Sequence, residues 1–159
     1  MQKVHPCLWF DHQAEEAANF YVSTFENSRI LDITRYGEDA PGDMAGRVLT
    51  VTFQIHGLDF TALNGGPMFK FTEAISFVVD CDSQAEVDHL WDTLTANGGE
   101  ESQCGWLKDK YGLSWQIVPT LLFKLMSDPN PAKAGAVTQA MLQMRKIDTR
   151  LLQEAYDKA

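Results

Sequence analysis

The chain has 159 residues, 45% of them hydrophobic and 22% charged, and carries a formal net charge of −9 at pH 7. That length fits one domain, or two small modules sharing a core. The acidic balance argues against nucleic acid or an anionic membrane surface as a partner, because both call for a positive footprint. No run approaches the roughly 20 apolar residues of a membrane span. The opening "MQKVHPC" lacks the apolar region of a signal peptide, so a cytoplasmic location is expected. Cys7, Cys81 and Cys104 are widely spaced and include no C-x-x-C pair. They form neither a disulfide framework nor a zinc knuckle, and read as reduced, mostly buried thiols.

In chain order, "KVHPCLWF" (Lys3–Phe10) is predicted as a strand, held to an edge because Pro6 has no backbone donor. Asp11 is placed to cap a helix from Gln13 to Phe25, whose Ala14, Ala17, Ala18, Tyr21 and Phe25 recur at helical spacing. Glu15 and Glu16 lie near its positive end, where carboxylates are stabilised by a few tenths of a kcal/mol. "SRILDITRYG" is a strand, "EDAPGDMAG" a polar loop, and "RVLTVTFQI" an alternating strand. "HG" is a turn into the hairpin partner "LDFTALN".

The same order then recurs. "EAISFVVDC" (Glu73–Cys81) reads as a strand and "SQAEVDHLWDTLTANGG" as a helix with a glycine cap. "ESQCGWLKD" gives one or two short strands, "KYG" a turn and "LSWQIVP" a final strand. "QAEEA" at Gln13 matches "QAEVD" at Gln84, and "GLDFTAL" at Gly57 matches "GLSWQIV" at Gly112. Two copies of β-α-β-β-β form an internal repeat. The expected division is residues 1–66 and 67–120 as two units of one domain, with 121–159 as a helical extension. In that extension "TLLFKLMS" is a short helix and "DPNP" breaks it. Residues 132–159 read as one further helix, with Val137, Met141, Met144, Leu151, Leu152 and Ala155 on a stripe.

The segments "FDHQAEEAANFYVSTFENSRI", "FTALNGGP", "AISFVVDC", "CGWLKDKYGLSWQIVP" and "AMLQMRKID" resemble the PhnB-like branch of the vicinal oxygen chelate superfamily. That superfamily includes glyoxalase I, extradiol dioxygenases and bleomycin-resistance proteins. The resemblance implies an α+β fold in which two βαβββ repeats make a partly open, cup-shaped set of mixed sheets, followed by extra C-terminal helices. It also implies a homodimer, as in many relatives. A homodimer is expected independently from the apolar stripe, which needs a surface to cover it. The branch often carries the label 3-demethylubiquinone-9 3-methyltransferase. No Gly-rich loop after a strand with an acidic residue downstream suggests an S-adenosylmethionine site here.

Metal-using relatives place four ligands in the cup, typically His or Glu, around a divalent ion acting as a Lewis acid. The resemblance puts His5 at the first position. The second falls on Thr61 by the internal repeat or on Phe60 by the asparagine-anchored comparison. The third falls on Ala74 or Ser76, two residues apart on one strand face. The fourth falls on Gln116. One imidazole and one neutral amide are too few for a metal centre, so neither metal nor cofactor is expected. His12, His56 and His89 read as solvated.

On the first strand Cys7 and Trp9 share the inward parity of His5. Ser114 and Gln116 share a face on the last strand. Asn64 ends the fourth strand, Ser76 lies on the fifth, and Trp106 opens the strand after "CG". These residues form a largely apolar set with a few convergent polar groups, as in a small-molecule pocket. A packed sheet interior would use the same residues. Three readings follow: a protein that binds a small molecule, an enzyme with His5 as general base, or a structural dimer module.

Overall fold

A computed structural model describes residues 2–159. The chain divides into two compact units, Met1–Lys70 and Phe71–Ala159. The first holds β1 (Cys7–Phe10), α1 (Ala14–Thr24), β2 (Ser28–Arg35), β3 (Val48–Ile55) and β4 (Leu58–Asn64). The second holds β5 (Ser76–Cys81), α2 (Gln84–Thr95), β6 (Glu100–Glu101), β7 (Trp106–Lys108) and β8 (Ser114–Pro119), then α3 (Thr120–Met126), α4 (Pro131–Leu142) and α5 (Thr149–Lys158). Each unit has one open four-stranded mixed sheet. The orders are β1-β4-β3-β2 and β5-β8-β7-β6. In both, the first strand pairs parallel with the fourth and the remaining pairings are antiparallel. The internal repeat is therefore present in topology as well as in element order.

Period-two alternation decides which face each unit buries. In the first unit Leu8, Phe10, Val51, Phe53, Ile55, Phe60 and Ala62 turn inward and meet Ala14, Ala17, Ala18 and Tyr21 of α1. Phe53 stacks on Phe60 with ring centroids 5.2 Å apart, and Tyr21 stacks on Phe53 at 6.2 Å. Each such buried side chain contributes on the order of 1.5–3 kcal/mol. In the second unit Leu107, Trp115 and Ile117 are buried, as are Val87, Leu90, Trp91 and Leu94 of α2. The "HG" turn of the first hairpin forms as expected, with His56 and Gly57 both at positive φ (47° and 80°).

Four expectations are corrected. The first strand begins at Cys7 rather than Lys3. Residues 3–6 still run beside β4, where the Pro6 carbonyl accepts from Thr61 N at 3.0 Å, but Pro6 itself has no N–H to extend the ladder. The fifth strand begins at Ser76 rather than Glu73, where its register with Ser114 of β8 starts. Asp11 does not cap α1. The N-cap is Gln13, without a side-chain cap bond, and the first turn is served from outside: Asn64 Oδ1 accepts from Ala14 N at 2.8 Å.

The fourth correction concerns the single helix expected over 132–159. It breaks between Leu142 and Thr149. Cys104 N and Gly105 N donate to the carbonyls of Met144 and Arg145, both at 2.8 Å. Gln84 completes the break, donating to Ile147 O and accepting from Thr149 N. Asp148 then caps α5, accepting from Leu151 N at 3.2 Å. The apolar stripe is covered within the chain. Val137, Met144, Ile147 and Leu152 pack with Val118, Leu122 and Leu125, and Met141 packs against them. Leu151 stays 39% exposed. The stripe therefore supplies little reason for a dimer.

Candidate functional site

Each sheet has a second face that its helix does not cover. In the first unit the register pairs Cys7 with Thr61, Trp9 with Leu63, Thr52 with Thr61 and Thr50 with Leu63. Paired residues share a face, so these side chains line one surface. His5 joins it from the segment before β1. One ring nitrogen, Nε2, lies 3.1 Å from Thr61 Oγ1, while Nδ1 is buried with no partner among the described residues. Of the two alternatives at the second position, Thr61 lies beside His5 and Phe60 packs into the helix side. Asp59, almost fully buried, holds the start of this segment. Its carboxylate accepts from Gln2 N at 2.8 Å and Gln54 Nε2 at 2.7 Å. The Gln2 amide, followed by the Gln54 side chain, holds the Asp59 carboxyl below the usual carboxylate range.

The remaining first-unit candidates are tied into the framework. Trp9 lays its ring where a Cβ on Gly65 would approach to 2.4 Å, donates from Nε1 to Gly66 O at 2.9 Å, and meets Phe69 edge-on at 4.9 Å. Asn64 uses its amide on Ala14 N and Val48 O, and its carbonyl accepts from Tyr36 Oη. Sequence reasoning took Asn64 as a polar pocket residue at the end of a strand; instead it reaches back to α1, and nothing local signals that. Burial pushes the Cys7 thiol above its ordinary value. Cys81 is pushed up to about 12, first by burial and then by Glu86, Asp80 and Asp82. Neither environment favours a thiolate nucleophile.

In the second unit the uncovered face carries Ser76, Ser114, Gln116, Trp106 and Lys108, set together by the β5–β8 and β7–β8 registers. Gln116 Nε2 donates to Ser76 Oγ at 2.9 Å. Ser76, rather than Ala74, is therefore the residue that meets the fourth position; Ala74 precedes the strand and is exposed. Ser114 is fully buried and its Oγ has no partner among the described residues. Glu73 forms an ion pair with Lys108. A cleft of about 150 Å³ is lined by Glu73, Glu100, Ser102, Trp106, Lys108 and Ser114. Lys108 and Glu73 were not singled out from sequence. Lys108 was legible, being two residues beyond Trp106 on the same strand. The Glu73 pairing crosses 35 positions and was not.

A larger cleft of about 460 Å³ lies at the carboxyl ends of β5 and β8, beside Ser83, Gln84, Thr120 and Lys124. Two of its polar side chains are already engaged: Ser83 accepts from Glu86 N, and Gln84 serves Ile147, Thr149 and Asp88. Among the described residues no group of three or more His, Cys, Asp or Glu is placed to hold a metal ion. No helix of the described residues is long and apolar enough to cross a membrane.

With this geometry in hand, the family model for 3-demethylubiquinone-9 3-methyltransferase matches residues 2–118. The chain belongs to this family. A PhnB protein of Bacillus cereus carrying the same methyltransferase label is 37% identical, with a TM-score of 0.68 over 75% of this chain and 100% of the other. The resemblance to PhnB-like proteins is thereby borne out. Protein PA1353 of Pseudomonas aeruginosa shares the fold at 18% identity and TM-score 0.62, covering 75% of this chain and 98% of its own. The fosfomycin resistance protein FosX of Listeria monocytogenes shares it at 15% identity and TM-score 0.50, over 75% and 93%. No curated protein matches the chain in sequence. The family match ends at Val118, so α3–α5, including the "AMLQMRKID" segment, lie outside it.

Proposed function

We propose that this family member binds a small molecule against the uncovered face of its β-sheets, without the metal-ligand set of metal-using relatives. The observation that carries the proposal is that two buried polar atoms, His5 Nδ1 and Ser114 Oγ, have no partner among the described residues. Buried polar atoms are nearly always hydrogen-bonded, and an unmatched one calls for a ligand or water. Cys7 and Trp9 on the first sheet, and Ser76, Trp106 and Gln116 on the second, are the further proposed contacts; Asn64 is not among them, because it lies on the helix side with its amide taken by Ala14 N and Val48 O. The donor chemistry supports a metal-free site. His5 meets a threonine hydroxyl and Gln116 a serine hydroxyl. Zinc and nickel centres are built from thiolates, imidazoles and carboxylates instead.

A panel of metabolites in a thermal-unfolding assay tests this reading. At least one compound is expected to raise the melting temperature by several degrees, while a chelator leaves it unchanged. A melting temperature that falls on chelation, with a metal bound through His5, would overturn the proposal.

A second reading has its own support. An imidazole with Nε2 oriented by Thr61 and Nδ1 facing inward is arranged to take a proton from a bound molecule. In that case His5→Ala abolishes turnover of the ligand while binding persists.

We also propose a homodimer. It is supported by exposed apolar side chains at Met68, Phe69, Ile75 and Val78, between 51% and 77% exposed, which a partner copy would cover. Sedimentation at micromolar concentration is expected to give twice the chain mass, and a monomer there would refute it.

A further inference from the structure

The charges around the small cleft of the second unit are not balanced. Glu73 is matched by the Lys108 ammonium. Glu101, at its edge, accepts from Trp91 Nε1 at 2.7 Å and faces Arg145 Nη1 at 3.8 Å. Glu100 stands opposite Lys108 in the ladder and feels its charge, but its carboxylate has no ion-pair partner among the described residues. Opposite Lys108 in the register sits Ser114, fully buried, with its hydroxyl oxygen unpartnered and part of the cleft wall. The half-buried indole of Trp106 forms another wall. What the cleft offers is two carboxylates, Glu73 and Glu100, sharing one lysine, together with a buried hydroxyl lone pair and an aromatic surface.

We infer that this cleft takes the ammonium group of a small organic cation, which donates hydrogen bonds to Glu100, Glu73 and Ser114 Oγ while its alkyl stem lies against Trp106. The inference rests on the small-molecule reading above and names the ligand's charge. Carboxylates and an aromatic face together favour a cation. An anion would meet three glutamates and only an occupied lysine, in a chain whose net charge is −9. The Lys108 hydrogen bond holds the Glu73 carboxyl below its ordinary range, so Glu73 is anionic at neutral pH. A volume of about 150 Å³ admits the head group alone. The rest of a ligand extends over Ser76 and Gln116, which share the face.

The test is an NMR titration of the intact chain with n-butylammonium, n-butanol and n-butyrate, three probes of one shape and different charge. Butylammonium is expected to give saturable shifts at the amides of Trp106, Lys108 and Ser114, and to bind at least about tenfold more tightly than the other two. Glu100→Gln is expected to weaken it about tenfold. Glu38→Gln, which removes an exposed charge from a first-unit loop, should leave it unchanged. Ser114→Ala also weakens binding yet leaves folding intact, because the hydroxyl has no partner to lose. Tighter binding of butyrate or butanol overturns the cation assignment and leaves the small-molecule reading standing. Equal effects of Glu100→Gln and Glu38→Gln reduce the result to overall charge and overturn the site. An absence of saturable shifts with all three probes removes the cleft as a binding site, and the broader reading then stands or falls with the thermal panel.

Discussion

Asp109→Ala is expected to lower the free energy of unfolding by about 3–5 kcal/mol, the largest loss from any single polar side chain in the second unit. Asp109 is 2% exposed and sits in the turn between β7 and β8. Its Oδ1 accepts from Tyr111 N at 2.9 Å and Leu113 N at 3.1 Å, and its Oδ2 accepts from Trp115 Nε1 at 2.9 Å. Truncation removes the acceptor from all three donors at once, and each buried donor left unmatched costs about 1–3 kcal/mol. Asp109→Asn should be milder, because its carbonyl oxygen still serves the backbone donors while its NH₂ faces the indole. Urea unfolding monitored by far-UV circular dichroism measures both. A change below about 1 kcal/mol in the alanine variant would show that the turn is held by the hairpin alone. The consequence reaches the candidate site, since the same turn sets Lys108 opposite Ser114.

Gly105→Ala is the second large effect, expected at about 2–4 kcal/mol. Gly105 has φ +86°, and a Cβ there would stand 2.9 Å from Ile117 O and 3.2 Å from Ile147 Cγ1. Ile117 O belongs to a sheet strand and cannot swing aside, and Ile147 is fully buried, leaving its Cγ1 little room to give. The backbone is also held on both sides: Gly105 N donates to Arg145 O, and its carbonyl accepts from Ile117 N, each at 2.8 Å. Gly46→Ala is the control, with a similar φ of +78° and nothing within 4 Å of the added carbon. It should cost only the conformational part, about 1–2 kcal/mol. The difference between the two reads the clash with Ile117 O. Hydrogen exchange adds a second readout: amides of α5 should lose protection in Gly105→Ala and keep it in Gly46→Ala. Equal destabilisation by the two substitutions would refute the account.

The two βαβββ units were legible because their signals are local. Alternation in "VLTVTFQI" and helical spacing in "AEEAANFY" depend on neighbours within one or two turns, and those neighbours lie adjacent in the chain. The "HG" turn likewise follows from residues that tolerate positive φ. The same parity was enough to place Cys7 and Trp9 on one face and Ser114 and Gln116 on another. The residues with unmatched polar atoms were within reach as well: Ser114 was singled out by strand parity, and His5 by the family resemblance.

Tertiary structure decided whatever depends on a partner far along the chain. Asp11 has the composition of a helix cap, yet Asn64, 50 residues beyond Ala14, supplies the acceptor. Thr61 and Phe60 were equivalent choices until the β3–β4 register put Phe60 opposite Phe53 and left Thr61 for His5. The final helix is continuous by periodicity alone; it breaks because Cys104 and Gly105 donate to the carbonyls of Met144 and Arg145, about 40 positions away. Its apolar stripe suggested a partner subunit, but Val118, Leu122 and Leu125 cover most of it within the chain. Periodicity records which side of an element is apolar. It carries no information on which surface covers that side, or on which distant donor claims a free carbonyl, because those choices are made only when separate elements compete for the same contacts.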